Sequence, residues 1–504
     1  MSSRAVPGEE QRSRTVARVL ASLRSGRLAE AIGLCDDLLG SDPHSFDALR
    51  LGASARLLAG RASEAVPLFE RALKQKPRDA ELLGNLGMAL QDCGSIDKAV
   101  ARLREAAALR ADPDTLVNLA CALRHSGALE EAAAVCERAL TLDPRHAGAH
   151  YNRGNALCDQ GAVRSAIACY EQALALAPGR QDILGSLANA VLLAGDFPRG
   201  WPMYEARFGR AAYRNWPALP SVMRRWDGRS RALEGKLLVV AEQGHGDTIQ
   251  FLRYGRLLRQ AGIHAALQCD PRIVRLLSSS DCFEEVVPFG SMPAGPVACW
   301  YPLLSLPLLL RTELETIPAG PAYLGTDPER RARWSALLAG ERSFRVGIAW
   351  QGNPRTEVHH LRGRSIPLRE FAPLAEIPGV TLHCLQKGAG LEQLEAAALG
   401  SRIVVAQPEI DSGTDAFLDT AALMTHLDLI VTSDTSIAHL AGALGRRVWV
   451  ALQHVPDWRW LLDRSDSPWY PTMRLFRQPR RGAWGEVFEA MARELRDTTN
   501  IRGE

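Results

Sequence analysis

Two stretches of the sequence place oxygen and nitrogen groups where an apolar run turns into a helical pattern. In LIVTSDTSIAHLAGALG (429–445), a β-rich run meets Ser433, Asp434, Thr435 and Ser436 before a helix begins. Free backbone N–H groups and the positive end of the helix dipole make such a turn an anion site. The small hydroxyl side chains add donors that suit a diphosphate, and His439 falls one turn inside the helix, at its ligand-facing end. AEQGHGDTIQFLRY (241–254) repeats the plan of strand, glycine turn, carboxylate and helix. Gly244 and Gly246 allow close approach of a backbone to a ligand. Asp247, at the mouth, is placed to take the proton of an attacking hydroxyl. Read alone, each carboxylate serves equally well as an ordinary helix cap. Ile249 stands where a dinucleotide fingerprint G-x-G-x-x-G needs its third glycine, which argues against that motif.

A third group lies after FRVGIAWQGN, in the loop PRTEVHHLRGRSIPL with Arg355, His359, His360, Arg362 and Arg364. Positive charge at the carboxyl end of a strand suits phosphate neutralisation. His359 and His360 are adjacent, so their side chains point apart, and no third ligand is near; no metal is expected. Lys387, after VTLHCLQ, is either a further phosphate partner or a solvated surface lysine.

These residues need a scaffold that brings strand ends together. KLLVVAEQ, HAALQCD and EEVVPF alternate with helical stretches from residue 236, the longest being TIQFLRYGRLLRQAG, read as one helix ended by Gly262. The alternation restarts with FRVGIAW, VTLHCLQ, SRIVVA, LDLIVTSD and RVWVALQ, after a polar interval over 311–343. Such alternation predicts two successive parallel-sheet lobes with a ligand crevice between them.

The first part of the chain is a repeat. Glycines 26, 60, 94, 127, 161 and 195 recur at intervals of 34, 34, 33, 34 and 34. A helix follows each glycine, then a proline turn at Pro43, Pro77, Pro113, Pro144 and Pro178, then a second helix. Glycine ends a helix by taking a left-handed backbone, and alanines such as Ala65, Ala99, Ala132 and Ala166 let paired helices approach. Each hairpin has an apolar face it buries only by stacking on its neighbours. Asn85, Asn118, Asn152 and Asn189 hold similar places in successive repeats, forming either a ladder of amides for a peptide backbone or a row of solvated polar positions. After Gly195 the chain becomes aromatic and proline-rich (Trp201, Trp216, Pro217, Pro220, Trp226), as a segment packed against the α/β part would be.

With 504 residues, 46% hydrophobic and 23% charged, the chain is an ordinary globular composition. A net charge of +3 gives no basis for nucleic-acid or membrane-surface binding. The ten cysteines form no C-x-x-C pair and read as buried, reduced residues of a soluble cytoplasmic protein. The most apolar stretch, Leu303 to Leu310, is too short to span a bilayer and contains Pro307.

The period and pattern of the first part resemble the tetratricopeptide repeat. From EQGHGD and DTSIAHLAGALG onwards, the second part resembles the heptosyltransferase-like glycosyltransferases, which are inverting, metal-independent and of the two-lobed GT-B fold. The whole chain looks like bacterial proteins that join such repeats to such a module. The expected architecture is therefore α plus α/β: a repeat array over 12–210, an aromatic and proline-rich join over 211–232, a first lobe over 233–325 on the acceptor side, and a second lobe over 340–497 on the nucleotide-sugar side. The resemblance implies that Asp247 is a general base, that Arg364 neutralises phosphate, and that Asp434, Thr435, Ser436 and His439 belong to a donor loop. Ser436 stands where that family usually has glycine, and Arg364 where it usually has lysine. No cofactor is implied beyond a nucleotide-sugar co-substrate, and the repeats would hold a protein or peptide on their concave face. The alternative is a repeat scaffold with a degenerate transferase-like domain.

Overall fold

The computed structural model describes residues 9–209, 223–229, 233–357, 363–396, 399, 402–405 and 410–500. The chain divides into two compact units at the Leu187/Ala188 boundary.

The first unit is a series of helices: α1 (Glu9–Arg24), α2 (Leu28–Ser41), α3 (Phe46–Leu58), α4 (Ala62–Gln75), α5 (Ala80–Asp92), α6 (Ile96–Leu109), α7 (Pro113–Ser126), α8 (Leu129–Leu142), α9 (Ala147–Asp159), α10 (Val163–Leu176) and the start of α11 (Gln181–Leu193). The periodic glycines carry positive φ, from +71° at Gly26 to +90° at Gly127. A methyl group added at Gly26, Gly60, Gly94, Gly127 or Gly195 would meet no heavy atom within 4 Å, so backbone conformation alone selects glycine there. The alanines Ala65, Ala99, Ala132 and Ala166 are at most 1% exposed. Pro113 departs from the expected pattern. It is the first residue of α7, with Asp112 as the cap, because a proline lacking an N–H suits the first helical turn.

The second unit opens with the end of α11 and with α12 (Phe197–Tyr204). Two wholly parallel sheets follow. The first has the order β3-β2-β1-β4, from β1 (Lys236–Val240), β2 (Ala265–Cys269), β3 (Glu285–Pro288) and β4 (Val297–Pro302). The second has the order β10-β9-β8-β5-β6-β7, from β5 (Phe344–Ala349), β6 (Val380–Cys384), β7 (Ile403–Val405), β8 (Leu429–Ser433), β9 (Val448–Leu452) and β10 (Met473–Arg477). Strands β1, β2, β8 and β9 are buried along almost their whole length, as parallel strands covered on both faces are. β4 and β10 have no counterpart among the expected strands; they are edge strands carrying Trp300, Pro302, Arg474 and Arg477 among their apolar residues.

The helix expected over TIQFLRYGRLLRQAG is two helices, α13 (His245–Phe251) and α14 (Tyr254–Gln260). The break falls at Arg253, whose guanidinium Nε donates to the Gln250 carbonyl at 2.8 Å and whose other nitrogens reach the Trp469 carbonyl and the Tyr323 hydroxyl. Of the aromatic join, Trp216, Pro217 and Pro220 lie outside the described residues. Trp201 is buried and donates its indole N–H to the Thr312 carbonyl at 2.8 Å. Trp226 donates its backbone N–H to the Trp300 carbonyl at 2.9 Å, extending the edge of β4.

Replacing Gly127 with Ala should destabilise the array by about 1 kcal/mol through the backbone alone, and Asn should cost less. Replacing Gly154 with Ala should cost about 1–3 kcal/mol by overpacking, since the new methyl would lie 2.6 Å from the Tyr170 ring. Urea unfolding of the three variants checks both values.

Candidate functional site

The carboxyl ends of both sheets face a cleft of about 1070 Å³. It is lined from the first sheet by the turn Ala241–Thr248, and from the second by residues that follow β5, β6, β8 and β9. In each sheet the first strand lies between a neighbour that follows it directly and one reached later in the chain, the arrangement that opens a crevice at strand ends.

On the first sheet's side, β1 ends in a turn whose strained residue is Gln243 rather than a glycine, with φ +63°. The Gln243 amide donates to the Tyr204 hydroxyl at 2.9 Å. Gly244 precedes α13 with an extended backbone, and its N–H donates to Asp247 Oδ2 at 2.9 Å. Asp247 thus has the capping role that its position allows. Its Oδ1, however, accepts from Arg459, and the side chain remains 20% exposed on the cleft wall. Gly246 serves a close approach of another kind than expected. A Cβ there would sit 3.0 Å from His439 Cδ2 and 3.3 Å from Ser436 Cα, so this glycine lets α13 lie against the Ser436–Ala443 helix.

On the second sheet's side, Asp434, Thr435, Ser436 and His439 line the cleft. Ser433 does not: as the last residue of β8 it is 0% exposed, and the donor role expected for it is withdrawn. Thr435 precedes the helix with an extended backbone but makes no side-chain cap; its hydroxyl lies 3.4 Å from that of Thr432. The capping alternative for this turn is therefore not what the fold uses. His439 is buried between the Trp460 ring, stacked at 5.5 Å, and Tyr470, whose hydroxyl is 3.0 Å from Nδ1. Burial, and then Arg459 and Arg253, push this imidazole well below the usual histidine range, so it is neutral at pH 7. Asp434 moves the other way. Burial, and then the Asp457 carboxylate, raise it to about 6, against the opposing charges of Arg364 and Arg459.

Arg364 lines the cleft, and its Nε donates to Glu357 Oε1 at 3.1 Å, an oxygen that also accepts from Ser365 Oγ at 2.7 Å. Lys387 is exposed at the cleft edge, and its ammonium donates to the Ile410 carbonyl at 3.1 Å and to that of Asp411. It thereby holds the base of the segment Asp411–Phe417, which has positive φ at both ends. That segment reaches the first sheet's loops, through the Ala416 N–H on the Arg272 carbonyl at 2.7 Å and the Phe417 ring against His245. His359, His360 and Arg362 lie outside the described residues, as does the Arg355 side chain.

Arg459 was not foreseen from the sequence. It is buried, and it donates to Gln250 Oε1 at 2.6 Å, to Asp457 Oδ1 at 2.7 Å and to Asp247. Trp458 packs on it at 4.5 Å, within a cluster that includes Phe197, Trp201 and Trp469. Its signal lay in the string PDWRWLL, where one arginine sits between two tryptophans.

The first unit carries a separate groove of about 400 Å³, lined by Asn85, Asn118, Arg110, Asp112, Asp114 and His146 among others. Asn85, Asn118 and Asn152 each occupy the sixth position of their helix. Asn189 does not: it is three residues further along α11, where Ser186 holds the sixth position, so it matches Asn155 instead. The Asn152 amide is engaged with its own helix, donating to the Gly148 carbonyl at 3.0 Å. The amide row within the groove thus consists of Asn85 and Asn118.

Tetratricopeptide-repeat family models match residues 16–80, 56–122, 120–161 and 147–180, and the first unit is a tetratricopeptide repeat array. The second unit is α/β, with two parallel sheets. Over 456 residues the chain is 28% identical to the protein FlbA of Caulobacter vibrioides, covering 84% of this chain and 74% of that protein. Among solved structures it is similar to YrrB, described as a TPR protein with an unusual peptide-binding site, at 22% identity and a TM-score of 0.30, over 34% of this chain and 89% of that one. It is also similar to a thermophilic TPR protein of Thermus thermophilus, at 20% identity and a TM-score of 0.32, over 36% and 98%. Among the described residues no helix is long and apolar enough to cross a membrane.

The Asp434 carboxyl is harder to ionise in the fold than in the unfolded chain. Its favourable share of stability is present below about pH 4 and lost as the pH rises through about 6. Replacing Asp434 with Asn should therefore stabilise the protein at pH 7 by an amount on the order of 2 kcal/mol, and much less at pH 4. Unfolding measured at both pH values checks the sign.

Proposed function

We propose that the second unit is an inverting, metal-independent glycosyltransferase of the hexosyl or heptosyl type, using a nucleotide-sugar donor. The observation that carries this reading is the cleft at the carboxyl ends of two parallel sheets, with Asp247 on one wall and Asp434, Thr435, Ser436, Arg364 and Lys387 on the other. In the reaction, the acceptor hydroxyl gives its proton to Asp247 while its oxygen bonds to the anomeric carbon. The bond from that carbon to the diphosphate breaks, and the nucleoside diphosphate leaves. Arg364, Lys387 and the N-terminus of the Ser436–Ala443 helix stabilise the departing charge, so the scheme needs no cofactor. The repeat groove would hold the protein or peptide that bears the acceptor, and the activity belongs in the cytoplasm, where buried cysteines such as Cys35, Cys136 and Cys269 stay reduced.

A second reading is a repeat scaffold whose α/β unit no longer turns over. It is favoured by the occupied state of the candidate groups: Asp247 is ion-paired to Arg459, Arg364 to Glu357, and Lys387 is engaged with loop carbonyls.

Replacing Asp247 with Ala should lower turnover by about 10²-fold or more while leaving donor affinity little changed. Equal losses in both would remove its role as base. In a thermal-shift panel of nucleotide sugars and nucleoside diphosphates, a donor at 100 times its Kd should add about 2.7 kcal/mol of stability. No shift and no turnover across the panel would leave the scaffold reading.

A further inference from the structure

The guanidinium of Arg459 is engaged on three sides, by groups that come from both sheets. Gln250 and Asp247 lie on α13, after β1, whereas Asp457 and Arg459 itself follow β9. The two carboxylates are held differently. Asp457 belongs to the same turn as Arg459, and its Oδ1 also accepts the Arg459 backbone N–H at 3.1 Å, so local geometry fixes it. Asp247 comes from 212 positions away in the chain, is partly exposed, and keeps a second partner in the Gly244 N–H. Asp434 stands close enough to Asp457 for the two charges to oppose each other. At rest, three of the five guanidinium N–H groups of Arg459 are engaged, two of them by carboxylates, so an anion meets the full charge and fork of that guanidinium only if one of those carboxylates yields.

We propose that Arg459 is a shared clamp, for which Asp247 and a phosphate-bearing ligand of the cleft compete, so that seating the anion releases the Asp247 carboxylate. A guanidinium fork matches two phosphate oxygens, and a multiply charged diphosphate outcompetes a single carboxylate for it in a partly desolvated site. Asp247 is the partner that yields because Asp457 cannot leave without unmaking its own turn. Once released, Asp247 remains beside the Gly244 N–H at the cleft mouth, free to accept a proton. This rests on the reading of the cleft as a donor-phosphate site, and it gives that site an order: the base becomes available only after the diphosphate is in place. By thermodynamic reciprocity, whatever removes Asp247 from Arg459 must strengthen anion binding.

The test is calorimetric titration of the full chain with inorganic pyrophosphate, using wild type, Asp247→Asn, Arg459→Lys, the double variant and Asp434→Asn. The lysine keeps the buried charge but loses the fork, so that the fold survives. Asp434→Asn gives the gain expected from removing one negative charge from the same cleft. The proposal expects Asp247→Asn to bind pyrophosphate at least about fivefold more tightly than wild type, and by more than Asp434→Asn does. It also expects most of that gain to vanish when Arg459 is lysine. Equal gains from the two asparagine variants, a gain that persists in the double variant, or no binding by any variant would each overturn it. If the linkage holds but no nucleotide sugar is turned over, the transferase reading falls and the clamp stands.

Discussion

A guanidinium taken out of water must find carboxylates and hydrogen-bond acceptors, or its burial is ruinous. Arg459 meets that demand by drawing Asp247 and Gln250 of one sheet's first helix to Asp457 of the other sheet's last turn. The aromatic residues around it make the arrangement stiff. Trp458 lies against the guanidinium, and Phe251 of α13 and Phe197, Trp201 and Tyr204 of α12 pack around Trp458. Beside this cluster, Arg207 is buried and paired with Glu242 and Glu205, so the residues after α12 are tied into the same unit by charge as well as by rings. The join after the repeats is thus part of the framework of the cleft. Gly246 adds the steric half of the constraint, since a Cβ there would lie 3.0 Å from His439 Cδ2 and 3.3 Å from Ser436 Cα, tighter than an ordinary contact.

Much of this organisation was legible in the sequence, and what was not has identifiable causes. The repeat was legible because its glycines meet a backbone requirement that no other residue fills without strain. The inner strands were legible because burial on both faces demands unbroken apolar runs such as KLLVV and LIVTS. β4 and β10 escaped because edge strands admit prolines and arginines. The double helix over 245–260 escaped because its interruption depends on where the Arg253 guanidinium finds partners, among them Trp469 and Tyr323, far away in the chain.

At the candidate site, the turns themselves could be read from strand, small residues and helix in succession. Which side chains they turn towards each other could not. The ion pair between Asp247 and Arg459 has no local signature, since nothing in PDWRWLL says that its arginine answers to a carboxylate in the other sheet's loop. Ser433 looked like its neighbours in a run of small polar residues, and one residue of strand register separates it from the cleft. Asn189 lay on the expected face of its helix but one turn beyond the row it was assigned to.

The close contacts inside the repeats bear on how such an array can change over time. Gly87 in α5 faces Leu103 in α6, and a Cβ at Gly87 would lie 2.5 Å from that side chain. Gly154 in α9 faces Tyr170 in α10 in the same way, at 2.6 Å. In both cases the small residue and the large one that fills its place lie on the two helices that flank a periodic glycine, Gly94 or Gly161. Each of these two helix pairs therefore carries its own matched knob and hole. A repeat can be duplicated or lost between equivalent proline turns, such as Pro77 and Pro113, without breaking a match, whereas a single residue on either side of the match cannot drift alone. The array is free to vary in length while the interior of each unit stays locked.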